Sequence, residues 1–450
     1  MAAAGESSRE GILRLTPGAL LEALAPQFER WPKLVEAARF VREQWVSLGL
    51  VFVLAAAGYA MDEHKAEVAP FLIDWESQAL NVMTWADPRV RRADHVTVVE
   101  IDDATYRARR QGDRTDRRLL AALVRDAARA NAAVIALDID LVRDGDDATT
   151  RAAANADLLS ALRSTAQRVP AVPVILAAAL KANDDGTWSE LSNIFADAQL
   201  PVADNAPGLP PRVPVGFVNA PLDPRQLPLI FDAKPASGGA AEPFWSFGLR
   251  TADAYDSALD IVPAASQTGP IRDAIENGEF VSGTFLPAAA FLHVSANDLL
   301  NGAAPARAAL NHRIVLIGGV RHDAYGGWVD QHDTPLGPMS GVYIHANRIE
   351  AILDDRIKRP VPWWVPWVVD VLLGVAMVVM SARARTLADQ LALVALFALP
   401  FVIAYFAFVN LQCSIDFALP LFVLMIHLLL EKYREFGHHP EPVKPAADAA

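Results

Sequence analysis

Hydrophobic and polar positions divide the 450-residue chain into three regimes. Trp45–Met61 is almost wholly apolar, and apolar runs return at Pro362–Met380, Leu391–Val409 and Ser414–Leu430. Each is about 17–20 residues long, the length a helix needs to cross a bilayer. Between them the pattern is that of a globular domain. His95–Ile101 is β-branched and aliphatic and stops at Asp102-Asp103, which reads as a strand. Leu119, Leu120, Leu123, Val124 and Ala127 mark the buried stripe of a helix, and Ala132–Leu137 reads as a second strand ending at Asp138-Ile139-Asp140. Strand, helix and strand at this spacing predict a βαβ unit with parallel strands. A helix near Asp157–Arg163 and a strand at Val172–Ala177 continue the alternation.

Later in the chain the pattern is more broken. Residues 181–285 are rich in Pro, Gly and Ala, and only Val215–Asn219 and a helix at Phe247–Tyr255 stand out. His293–Leu300 reads as the start of a short helix. Ile314–Ile317 is a buried strand halted by Gly318-Gly319, and a loop rich in Gly, Asp and His follows. Gly341–Asn347 then opens a helix.

Charge orients these segments. Arg39 and Arg42 precede the first apolar run, Asp62 and Glu63 follow it, and Ser381–Arg385 is basic. The positive-inside rule puts residues 1–44, the loop 381–390 and the tail 431–450 in the cytoplasm. The expected layout is four transmembrane helices at 45–61, 361–380, 391–409 and 414–430, one before and three after an extracytoplasmic domain at 62–360. That domain is expected to be α/β with a mostly parallel sheet. A net charge of −13 leaves no footprint for nucleic acid. The one cysteine, Cys413, excludes an intramolecular disulfide and a cysteine-based zinc site.

Candidate chemistry collects where strands end. Asp102 and Asp103 close one strand, and Asp138 and Asp140 close the next. Ligands of open parallel sheets bind beyond the carboxyl ends of the strands. With Asp330 from the later loop, these acids offer a place for a cation or a polar ligand. Aspartates in such positions equally serve as helix caps and turn ties. His322-Asp323, His332-Asp333 and His345 are near one another in sequence, but spacing does not make three ligands converge, so no metal is expected. His345 and Asn347 are expected to satisfy buried backbone groups. The nucleophile elbow, the phosphate-binding P-loop and the zincin helix are all missing from the sequence, and no enzyme activity or cofactor is expected.

Several of these stretches resemble one known family. Leu316-Ile-Gly318, Asp330-x-x-x-Thr334-Pro335-Leu-Gly337, Met339-x-Gly341 and Ile344-His-Ala-Asn347 are similar to the closing motif of the CHASE2 domain. Val98–Asp103, Leu137–Ile139, Gly216–Asn219 and Val294–Leu300 match further landmarks in the same order. CHASE2 domains are extracytoplasmic sensory modules of bacterial receptors, commonly with one membrane span before the domain and three after it. The resemblance supports Asp330, Thr334, Pro335 and Asn347 as part of the site, but not His322 or His332. It departs at Arg110–Asp116, where members usually carry a tryptophan-rich run, and at Asp223-Pro-Arg225, where an Asp-Gly turn before Arg is usual. Ligand identity therefore does not transfer.

The ligand set expected from both lines of reading is Asp102, Asp103, Asp138, Asp140, Asp330, Thr334 and Asn347. Only about 20 residues follow Leu430, fewer than a folded domain needs. The expected protein is a multi-pass sensor of the bacterial inner membrane, with its large domain in the periplasm. It would detect a small-molecule or periplasmic signal and relay it to a separate cytoplasmic effector. A homodimer is implied by analogy alone. A membrane-anchored periplasmic enzyme using the clustered aspartates and a membrane scaffold or assembly factor are the alternatives.

Overall fold

A computed structural model describes residues 32–62, 78–79, 82–87, 92–109, 115–141, 151–183, 187–190, 215–218, 229–235, 239–259, 285–322, 329–334, 336–354, 356–362, 364–384, 386–411 and 413–414. Residues 1–31, the body of the fourth expected span at 415–430, the tail 431–450 and Asp223-Pro-Arg225 lie outside the described residues. The chain forms two compact units. One comprises Met1–Ile73, Val361–Leu411 and Ile415–Ala450, and the other Asp74–Pro360 with Gln412–Ser414.

In the first unit, Trp364–Arg383 and Ala388–Asn410 are helices long and apolar enough to cross a membrane. The N-terminal helix Trp45–Asp62 is apolar over a shorter stretch, Trp45–Ala57. These helices share a core of Val51, Met377, Val378 and Leu393. Thr386 opens the helix Leu387–Asn410 with a capping box, its hydroxyl accepting from the Asp389 amide while Asp389 accepts from the Thr386 amide.

The second unit is built on six parallel strands. They are β1 (Val96–Asp102), β2 (Val134–Asp138), β3 (Val174–Ala178), β4 (Val215–Phe217), β5 (Leu292–Ser295) and β6 (Ile314–Val320), in the order β4-β3-β2-β6-β1-β5. The expected α/β class and parallel sheet are observed. Helices α1 (Asp103–Arg109), α2 (Arg117–Arg129), α3 (Ala152–Ala166), α4 (Phe247–Ala258), α5 (Ala296–Leu300), α6 (Ala304–Ala308) and α7 (Gly341–Leu353) surround it. Side chains alternate along each strand. Val99, Ile101, Ile135, Leu137, Val315 and Ile317 pack on the face covered by α2 and α3. Val96, Val98, Val134, Ala136, Ile314 and Leu316 pack on the face covered by α4 and α7. At about 1.5–3 kcal/mol per large buried side chain, these two layers supply most of the driving force for folding.

Three readings need correction. The glycines do not halt β6, which runs through Gly318 and Gly319 to Val320. Neighbours on both sides hold its backbone, and a Cβ at 318 would lie 2.5 Å from Val342 Cγ2, so the missing side chain is what lets α7 approach. His293–Ser295 belongs to edge strand β5 and not to a helix, which begins only at Ala296. The polar loop contains a hairpin, β7 (Gln331–Thr334) and β8 (Gly337–Ser340), with Gly337 at φ +96° in its turn. The middle of the chain contributes a four-stranded sheet of Leu180–Ala182, Trp188–Glu190, Ile230–Lys234 and Glu242–Trp245.

Gly318→Ala should destabilise the domain by about 1–3 kcal/mol through overpacking, and adding Val342→Ala should recover part of that loss. Thermal or denaturant unfolding of the two variants checks this. Equal losses with and without Val342→Ala would show that the clash is not the cause.

Candidate ligand site at the carboxyl edge of the sheet

Helix α7 follows β6 on one face of the sheet, while the helices that follow β1 and β2 cover the other. The carboxyl end of β6 is therefore flanked by points where successive connections leave on opposite faces, the usual place for a ligand in open parallel sheets. Every residue of α7 is buried, yet it carries Tyr343, His345, Asn347, Arg348 and Glu350. Buried polar groups need partners, so where each of them finds one defines the site.

Three of the five are fully engaged. The Leu286 amide donates to Asn347 Oδ1 at 2.6 Å, and Asn347 Nδ2 donates to the carbonyls of Leu286 and Tyr343. Asn347 thus tethers a loop, as expected for a group that satisfies backbone. Glu350 accepts from the amides of His95 and Val96 at 2.8 and 2.7 Å and pairs with His95 Nδ1 at 2.9 Å. Burial pushes the Glu350 carboxyl up, but its bond and charge interaction with His95 and the two amide bonds outweigh this and hold it below the usual range. The bond to Glu350 in turn raises His95. His95, Glu350 and Asp354 place ligand atoms within 4.8 Å of one another. Because both Glu350 oxygens are engaged and Arg356 Nε sits 3.0 Å from Asp354, this group serves as a clasp between α7 and β1.

The register reveals the third tie. Gly318 lies beside Glu100 of β1 on one side and Asp138 of β2 on the other. A carboxylate therefore flanks the glycine on both neighbouring strands, with α7 laid above. Tyr343 donates to Glu100 at 2.5 Å, and burial together with this bond pushes the phenol far up.

On the opposite flank the groups are left without such bonds. His345 Nε2 stands 3.8 Å from Asp138 Oδ1, beyond hydrogen-bond range, and His345 Nδ1 is buried with no partner. The sequence reading of His345 as a satisfied buried group is thereby corrected. Its ring meets Phe247 edge-on. Burial and the nearby Arg348 charge push the imidazole down to about 3, so it is neutral at physiological pH. Burial and the Asp330 charge push Asp138 up to about 7. Burial lowers Arg348 to about 10, against the opposing pull of Asp138. Asp330 is paired with His332 at 2.9 Å, which holds the carboxyl down and the imidazole up. Asp330 also lies against Gly341, where a Cβ would fall on its Oδ2, at the positive end of α7.

Of the seven residues expected to bind ligand, the structure brings Asp138 and Asp330 into electrostatic range of one another. Asp102 instead accepts from the Thr105 amide at 2.7 Å, in the first turn of α1. Asp103 accepts from the His322 amide and pairs with its ring, tying the end of β1 to the end of β6. Asp140 is exposed beyond the end of β2. Thr334 donates to the Gly337 carbonyl at 2.6 Å inside the hairpin turn. Asn347 holds the 286 loop, as described above. The aspartates at 102 and 103 thus act as cap and tie.

The model of the CHASE2 domain, a family of extracytoplasmic sensory domains, matches residues 48–383. The chain belongs to the CHASE2 family. No curated protein and no solved structure matches it.

The sequence reading of this CHASE2 domain missed Arg348, Glu100 and Glu350. Arg348 and Glu350 flank Ile349 on a helix rich in apolar residues, and charges in such positions were the available signal. Glu100 lies two positions before Asp102 and so shares its face of β1.

Two outcomes follow. The raised Asp138 carboxyl favours the protonated group in the fold, so its stabilising effect is complete below the unfolded value near 4 and is lost as pH rises through about 7. Asp138→Asn should therefore raise stability by about 2–4 kcal/mol at pH 8 and change it little at pH 4, as read from paired melts. Glu350→Gln should cost about 3 kcal/mol at pH 7, since it weakens three bonds at a buried tie. A loss under 1 kcal/mol in unfolding experiments would contradict the clasp.

Proposed function

We propose that the chain is the sensory subunit of a signalling system in the inner membrane. In this reading the domain faces the periplasm, binds a small molecule beside Asp138, His345 and Arg348, and passes its state through four spans to a separate cytoplasmic effector. Family membership supports the extracytoplasmic sensor. The observation that carries the site is a buried polar cluster whose members lack the tight bonds found elsewhere on α7. The shared core of Trp45–Asp62 with the helices after the domain supports the bundle. Helix α7 is followed closely in sequence by Trp364–Arg383, so a change at its first turns has a short covalent path to the spans.

For binding to signal, the ligand must favour one of two states of the domain. We read the site as a binding site and not a catalytic one, since among the described residues it offers no nucleophile paired with a base. The test is purification of the full chain from native membranes in mild detergent, with associated proteins identified by mass spectrometry. A stoichiometric kinase, cyclase or other regulatory protein whose activity changes with Asp138→Asn is expected. Recovery of the chain alone across several growth conditions would contradict a relay to a separate protein.

A further inference from the structure

We propose that the site takes a small monoanionic ligand bearing a carboxylate, bound to the Arg348 guanidinium between His345 and Asp138. This rests on the sensory reading above and names the ligand class for the same site. Arg348 is only 7% exposed and forms no hydrogen bond or ion pair among the described residues. A buried cation without a partner is costly, and the usual resolution is a counter-ion. Gly248 of α4 packs against the stem of Arg348, where a Cβ would lie 3.4 Å from Arg348 Cβ.

The neighbouring charges do not supply that counter-ion. Asp330 is engaged with His332, and both side chains reach solvent, so this pair does not serve Arg348 as a buried counter-ion. His345 is neutral, and Asp138 is about half ionised near pH 7. The buried group of Asp138 from β2 with His345 and Arg348 from α7 thus has a charge between zero and +1, and Asp330 and His332 of the hairpin segment lie at its exposed edge. One anion completes it, whereas a dianion would leave an excess charge buried. The donors fit a carboxylate: a planar guanidinium for two oxygens, with the imidazole and the protonated Asp138 as flanking donors. The 3.8 Å between His345 Nε2 and Asp138 Oδ1 admits one bridging oxygen at about 2.8 Å from each.

The ligand is held most tightly when Asp138 is protonated, because that group then donates rather than repels. Affinity should fall as pH rises through about 7.

The test is thermal unfolding of the full chain in detergent micelles with sodium acetate as the probe, against sodium chloride at equal ionic strength. Sodium phosphate and sodium sulfate form a second arm. Acetate should raise the melting temperature at pH 6 more than at pH 8. Arg348→Met should melt no lower than the wild type without acetate, and its half-maximal acetate concentration should rise about ten- to hundredfold. Asp138→Asn should keep the acetate response and lose its pH dependence. A folded chain that responds to none of the three anions overturns the proposal, as does Arg348→Met melting well below the wild type. A response to phosphate or sulfate larger than that to acetate overturns the carboxylate assignment. Failure here would leave the co-purified regulatory partner untouched, so the two readings fail separately.

Discussion

The rest of this structure depends on one constraint: a helix with no exposed residue that nevertheless carries five polar side chains. Helix α7 lies against the centre of a parallel sheet, where a buried polar group is costly unless it is bonded, and three of the five are bonded inside the domain. Asn347 holds the 286 loop, Glu350 clasps the start of β1, and Tyr343 reaches Glu100. These bonds fix both the height and the rotation of the helix. Gly318 and Gly341 are the steric counterpart, one letting Val342 settle onto β6 and the other letting Asp330 approach the first turn.

A helix so firmly positioned also determines what remains unbonded. His345 and Arg348 are three residues apart, on one flank of α7, and they meet Asp138 rather than a backbone group. Tyr343 and Glu350 face β1, where short bonds are made. The domain thus separates bonded from unbonded polar groups across the width of a single helix. In a two-state sensor this division is useful, because a ligand can reward one placement of α7 without the helix coming loose.

Legibility in the sequence followed local pattern. The strands around 96–102, 134–138 and 174–178 and helix α2 announced themselves, because burial on both faces demands unbroken aliphatic runs and a helix face demands a 3.6-residue spacing. The strand through Gly318-Gly319 did not, since its glycines answer to a helix brought there by the fold. The small sheet of residues 180–245 escaped for a related reason: its strands are short, one contains Pro243, and Trp188–Glu190 pairs with Ile230–Lys234 from far along the sequence. At the site, Asp138 and Asp330 were legible as acids at a strand end and in a loop. Arg348 was marked only as a charge beside Ile349 on a helix; that it finds no partner is decided by residues distant in sequence and was not legible. Asp102 and Asp103 looked the same as Asp138 in sequence, and only the register showed that they bond to Thr105 and His322.

Hydrogen–deuterium exchange of the full chain, followed peptide by peptide, tests the central place of α7 most directly. If the domain is held by the bonds of this buried helix, amides of 341–353 should exchange last, together with those of β1 and β6, in one cooperative opening. Exchange of 341–353 well before β1, with the sheet still protected, would show that α7 is a peripheral element and would contradict the account.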